Sequence, residues 1–296
     1  MPIASLLTNN RHSRAKAVRE AGALVEQGHA LERDKVYQPA MHVYQEGIDH
    51  QGFKQLTQAM QASAYVGLGH AAGATHREYQ RALDAYRDGF AHSGFQALPP
   101  DRQAGAYVGL GRALRGLNQH ERAINAYRVG IGHRGFEKLS PDWQAGVHIG
   151  LGHALDRLGW HPEAIAAYRD GIKHAGFQEL QPEAQAHAYL GLGNALGQAG
   201  DYQSAQAVYE DGFRHRGYAA LSPVVQDRAF AGRNYALNNG YELEKAARLE
   251  RAGFIRSMPP ESARVMQAQS TCLHSPGHAG APGSRMPLVL QAGVRR

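Results

Sequence analysis

Seventeen histidines in 296 residues are the first place to look for chemistry, because one set of them is evenly spaced. His50, His92, His133, His174 and His215 each stand two residues before a glycine that an aromatic follows. Imidazoles can ligate a metal, but an ion needs its ligands about 2 Å away. Equivalent positions on stacked helical units sit about 10 Å apart, so one ion cannot join two of them. The set reads instead as helix C-terminal caps, where an imidazole suits the negative end of the helix dipole. Gly109-Leu110-Gly111, with the same string beginning at Gly67, Gly150 and Gly191, opens like a dinucleotide fingerprint. No strand pattern precedes any copy. A glycine inside a helix costs about 1 kcal/mol relative to alanine, so the pairs predict helices that approach too closely for side chains. Cys272, His274 and His278 have ligand character but lie in a Pro/Gly-rich stretch with no second pair to close a site. Asp88, Asp170 and Asp211 recur as a solvated helix face. No HExxH, Walker loop, Gly-x-Ser-x-Gly or CxxC pair occurs. The sequence therefore predicts no catalytic residues, no cofactor, no metal and a non-enzymatic role.

What these residues share is a period. Gly28, Gly69, Gly111, Gly152 and Gly193 are separated by 41, 42, 41 and 41 residues. Tyr44, Tyr86, Tyr127, Tyr168 and Tyr209 keep the same phase, and so does the Gly-aromatic step from Gly52-Phe53 to Gly217-Tyr218. Self-similarity at this spacing means stacked repeats. Within one unit, Ser140-Pro141-Asp142 predicts a helix start in which the serine hydroxyl caps the first turn. Val147, Leu151, Ala154, Leu155 and Leu158 then follow at helical spacing. Gly159 ends that helix, and a second one begins at Trp160-His161-Pro162-Glu163 with Ala164, Ile165, Tyr168 and Ile172 on its apolar face. A ladder of Gln61, Gln103, Gln144, Gln185 and Gln226 falls on or near the packed side, where its amides are expected to bond the backbone of the long links.

The formal charge of +6 is concentrated at the ends. Residues 1–19 carry +4 without their first acid until Glu20, and residues 259–296 carry +3, which leaves the repeats at −1. Nucleic-acid binding through the two basic ends is thus a lesser alternative. A single cysteine excludes an internal disulfide framework and suits a reducing compartment. No apolar run is long enough to span a bilayer. The expected organisation is a basic flexible leader over 1–17, a helical repeat domain over 18–258 and a disordered Pro/Gly-rich tail over 259–296. The last unit, from Ser222-Pro223, is degraded: Arg233-Asn234 replace Leu-Gly, and Leu249-Glu250 fall where an aromatic is due, as in a polar cap.

Tyr107, Leu110, Gly111, Leu114, Ala123 and Tyr127 resemble the signature of the tetratricopeptide repeat, and the likeness recurs over about six units. Each unit is about seven residues longer than the ~34 usual for that family, and a Gly-aromatic-x-x-Leu link stands where a proline usually follows. The resemblance implies an all-α, right-handed superhelical solenoid acting as a protein-interaction scaffold, with ligands on the concave face lined by the first helices. It implies a polar row just after the Leu-Gly step, here His29, His70, Arg112, His153 and Asn194, and an apolar floor at Val66, Val108, Ile149 and Leu190. Arg115 and Arg157 follow a turn later. Such a surface suits a peptide or protein partner with acidic groups. Ligand affinity is expected to depend on pH through His29, His70 and His153, each gaining charge near pH ~6.5. A cytoplasmic location is expected. The alternative is a bacterial effector or secretion-associated adaptor whose basic leader directs export.

Overall fold

The computed structural model describes residues 3–75 and 77–251. Cys272, His274, His278 and the rest of the Pro/Gly-rich tail lie outside them. Eleven α-helices occur among the described residues, with no strand. Five helix pairs follow one another: α1 (Ile3–Arg33) with α2 (Tyr37–Asp49), α3 (Gln58–Ala74) with α4 (Tyr79–Ala91), α5 (Pro100–Gly116) with α6 (His120–Gly132), α7 (Pro141–Arg157) with α8 (His161–Lys173), and α9 (Pro182–Gln198) with α10 (Tyr202–Arg214). A single long helix, α11 (Pro223–Arg251), ends the array.

The glycines and tyrosines explain one another. Each second-helix tyrosine lies between two first-helix glycines, one in its own repeat and one in the next. A methyl group on Gly111 would meet the Tyr127 ring at 2.6 Å, and one on Gly150 would meet the Tyr127 hydroxyl at 2.8 Å. Tyr44, Tyr86, Tyr168 and Tyr209 repeat the arrangement, and all five tyrosines are no more than 2% exposed. The helical cost of glycine is thus offset by burying a large ring against two backbones. The Gly-x-Gly strings lie inside helices and form no phosphate loop.

The links carry a second repeated device. Each contains a short 3-10 turn that includes the aromatic, as at Phe95–Ala97 and Phe136–Lys138. The Gly135 amide donates to His133 Nδ1 (3.2 Å), so the proton of that ring is on Nε2, which donates to Gln103 Oε1 (3.2 Å). Gln103 Nε2 in turn donates to the Leu98 carbonyl of the preceding link (2.7 Å). The same relay joins Gly94, His92, Gln61 and Leu56; Gly176, His174, Gln144 and Leu139; and Gly217, His215, Gln185 and Leu180. The expected amide-to-link bonds are present, including Gln226 to the Leu221 carbonyl at 2.9 Å. The histidines do occupy the C-cap positions. Their role is corrected, however: in the four relays each ring accepts through Nδ1 and donates through Nε2, while His50 Nε2 faces Glu20 at 3.8 Å. A charge opposite the helix dipole is not what the geometry uses.

Three other expectations change. Ser140 is the N-cap of α7 but its hydroxyl makes no cap bond, whereas Thr57 accepts from the Met60 amide at 3.2 Å. The proposed leader is helical from Ile3, because nothing between Ile3 and Ala17 breaks a helix and the small Ala17 and Ala21 bury themselves under the first link. The sixth unit does not close into a pair within the described residues. In the turns of earlier units a residue with positive φ stops the first helix: Lys35 at 59°, Asn118 at 57°, Gly159 at 78° and Gly200 at 86°. The residue in that phase of the last unit is Tyr241, whose bulk disfavours the left-handed region, and α11 runs straight through it.

Candidate functional site

First helices of neighbouring repeats pack on one another along the whole array, while second helices pack chiefly on first helices. The first-helix side is therefore the tightly curved, inner one. Its curvature brings together residues two repeats apart. Arg102 of α5 lies 3.4 Å from Glu32 of α1, and the His70 ring of α3 lies 5.3 Å from the Trp143 ring of α7.

These contacts form one end of a cleft of about 610 Å³ crossing α1, α3, α5 and α7, a size suited to a small ligand or a short stretch of chain. Glu32 is the hub of its acidic side. It accepts from the Tyr44 hydroxyl at 2.7 Å and from Arg102, and its other oxygen lies 3.0 Å from His70 Nδ1. Burial opposes ionisation of Glu32, yet the bonds and charges of His70 and Arg102, with the Tyr44 hydroxyl, together hold its carboxyl down at about 2. The opposite wall is cationic and aromatic. The Arg112 guanidinium stands 5.2 Å over the Trp143 ring, an attractive cation–π placement, and its Nε has no hydrogen-bond partner. Arg33, Lys35 and Lys138 also line the cleft.

Of the residues expected on the binding face, His29, His70 and Arg112 line this cleft. His29 Nε2 lies 2.9 Å from the Ser63 hydroxyl. Asn194 lies farther along and donates to Asp156 at 2.8 Å. Arg115, His153 and Arg157 form a second group on α5 and α7, with the His120 ring 6.2 Å from that of His153. The apolar floor is a correction. Val66, Val108 and Leu190 are 1%, 6% and 6% exposed, and with the half-buried Ile149 they fill notches left by Gly89, Gly130, Gly212 and Gly171 of their own second helices. Val66, Val108 and Leu190 are core, and Ile149 keeps only part of its surface.

The histidine titration is corrected as well. Burial, then the charges of Arg115, His120, Arg157 and His187, push His153 down to about 3. Burial and Arg102 lower His29, despite the opposing Glu32 and Glu26. His153 gains no charge near the ordinary range, and His29 gains its charge below its usual value. The sequence reading also missed Glu32, Arg102 and Trp143. Their signal was available: the phase-equivalent positions Met60, Arg102, Trp143 and Ala184 change type from unit to unit where the core positions do not.

Residues 104–129 and 186–214, which lie within α5/α6 and α9/α10, match the family model described as tetratricopeptide repeat. These two segments are tetratricopeptide repeats. No curated protein matches the chain. Among solved structures, this repeat protein is similar to BtubC from P. vanneervenii, with 16% identity over 95% of this chain and 99% of that one at a TM-score of 0.47. It is also similar to a Rap protein complexed with competence and sporulation factor (16% identity, 92% and 80% covered, TM-score 0.44) and to a TPR repeats protein from Bacteroides fragilis (19%, 86% and 98%, 0.30). Among the described residues no group of three or more His, Cys, Asp or Glu side chains could hold a metal ion, and no helix is long and apolar enough to cross a membrane.

Proposed function

We propose that this repeat protein is a binding scaffold whose inner cleft holds an extended segment of a partner protein by an acidic side chain. The carrying observation is the asymmetry of charge pairing in the cleft. Glu32 is already satisfied by Tyr44, His70 and Arg102, whereas Arg112, which rests on Trp143 and meets the Tyr86 hydroxyl, has no carboxylate partner among the described residues. A carboxylate entering between Arg112 and the Lys138 side of the cleft gains charge-assisted bonds, and Trp143 offers a flat apolar contact beside it. The bottom of the cleft is charged and hydrogen-bonded, so the partner is read by polar groups more than by an apolar groove. His153, Arg115 and Arg157 lie farther along the same face and extend the positive track toward α9.

The test is titration of the full chain with a fluorescent library of acidic, neutral and basic extended peptides, followed by Arg112→Glu. Acidic peptides are expected to bind tightest, and Arg112→Glu to weaken them at least about tenfold, since a charge-assisted bond contributes about 1.5–3 kcal/mol. Equal affinity for acidic and basic peptides, or an Arg112→Glu variant that binds as before, refutes the proposal.

A further inference from the structure

The last helix keeps half of a pattern whose other half is on the same strand of sequence. In the second helices the alanines Ala82, Ala123, Ala164 and Ala205 face the first helix, and Gly89, Gly130, Gly171 and Gly212 receive its apolar side chains. One period later the sequence has Ala246 and Gly253, followed by Phe254 in the phase of Phe90, Ile131, Ile172 and Phe213. The second-helix text of the sixth unit is thus largely present. As far as Arg251 it is not folded back: α11 runs to 29 residues where α3, α5, α7 and α9 have 17, and Gly253 and Phe254 lie outside the described residues.

The surface such a helix would cover is bare. Leu237 stands in the phase of Leu114, Leu155 and Leu196, each 2% exposed, yet Leu237 is 37% exposed. Ala231, in the phase of the buried Val108 and Leu190 that enter the glycine notches of their own second helices, is exposed too, and Tyr241 is 65% exposed, whereas Phe230 and Tyr235 pack on Phe213 and Tyr202 of the fifth repeat. A helix continuous through Tyr241 cannot fold onto itself. Its projecting half can reach an equivalent bare surface only on another molecule.

We infer that two copies of this chain exchange the segment Glu242–Arg251, so that the projecting half of each α11 seats on the Ala231–Leu237 face of the other as its missing second helix. The exchange is reciprocal and two-fold, with the two long helices antiparallel, as the first and second helices of each repeat already are; such a swap reuses contacts the sequence encodes for one chain. It is independent of the inner cleft, which lies at the other end of the array.

Disulfide trapping tests it. In the fifth repeat a methyl on Gly197 would lie 3.9 Å from the Ala205 methyl, within the Cβ separation a disulfide needs. The phase-equivalent pair is Asn238 and Ala246. Asn238→Cys with Ala246→Cys, in a Cys272→Ser background, is expected to oxidise to a covalent dimer of about twice 32.2 kDa. The Tyr241→Gly substitution, which permits the left-handed turn, is expected to move the link within one chain and halve the native mass seen by light scattering. A link within one chain in the absence of Tyr241→Gly, or no link at all, overturns the inference, as does a native mass of one chain at concentrations where the disulfide is probed.

Discussion

Replacing Gln103 with leucine isolates one relay in the middle of the stack. The side chain is 4% exposed and makes three bonds: to the Leu98 carbonyl at 2.7 Å, to the Gln96 carbonyl at 3.2 Å, and from His133 Nε2 at 3.2 Å. Leucine has nearly the same volume, so no large cavity opens. What changes is that the Leu98 carbonyl loses its side-chain donor in a buried setting, at a cost of about 1–3 kcal/mol, with a further 0.5–1.5 kcal/mol or so for the His133 bond. The expected loss is about 2–4 kcal/mol, a large share of the ~5–15 kcal/mol typical of a folded domain. Urea unfolding followed by helical circular dichroism measures it. His133→Phe alone removes one end of the relay and is expected to cost about 1–2 kcal/mol. Because the two residues share a bond, the double variant should fall short of the sum by about 0.5–1 kcal/mol. Hydrogen exchange at the Gly135 amide, which donates to His133, should accelerate in both. A loss under about 0.5 kcal/mol for Gln103→Leu, or strict additivity, would show that the relay is incidental to the stack.

The link glycines give a sharper contrast. Gly135 has φ −96°, open to any residue, but a methyl there would overlap the Pro100 carbonyl, so Gly135→Ala should destabilise by more than the ~1–3 kcal/mol of ordinary overpacking. Gly132→Ala, three residues earlier on α6 with open space around it, should stabilise by about 0.5–1 kcal/mol in the same thermal melts. Acid should weaken the fold through His153. Its folded pKa of about 3 lies below the ordinary ~6.5, so the unfolded chain binds the proton first. That contribution is complete above pH ~6.5 and falls by up to about 1.4 kcal/mol per pH unit below it. His153→Gln should flatten the acid limb of a stability profile between pH 4.5 and 7. Shortening the chain at its start separates leader from stack: removal through residue 17 should lower the melting temperature, because Ala17 supports the Gly52 link, so loss of stability there carries no information about targeting.

The fold was legible because the residues that build it are copied. Tyrosine between two glycines, glutamine at the link and alanine on the second helix each recur at 41 or 42 residues. A feature that must be identical in every unit for the units to stack is visible in one sequence. The floor of Val66, Val108, Ile149 and Leu190 was misplaced for the same reason. Those residues are alike because each fills the same glycine notch, and likeness across units marks packing. The sixth unit departs at its turn. Its second-helix text is largely kept, apart from Leu249-Glu250 where an aromatic falls in the other units, but Tyr241 stands where earlier units turn left-handed.

A site on a solenoid follows the opposite rule. Stacking fixes the side of each first helix that meets its neighbours, and only the positions left over can differ without cost to the array. Glu32, Gly73, Arg115, Asp156 and Gly197 share one phase and four identities. Two of them, Glu32 and Asp156, accept from side chains of other repeats, and Arg115 is among the charges that depress His153. Met60, Arg102, Trp143 and Ala184 differ in the same way, and the two large members meet Glu32 and His70 across the inner face. Which of these variable positions converge depends on how sharply the array bends. The bend is set by the tyrosine hydroxyl against the next repeat's glycine and by the long relay-bearing link. Small differences per repeat accumulate over two units to bring Arg102 within 3.4 Å of Glu32. The identities of the cleft residues were therefore in the sequence as departures from the period. Their meeting was not, because it is a property of the summed curvature of several repeats and of no single one.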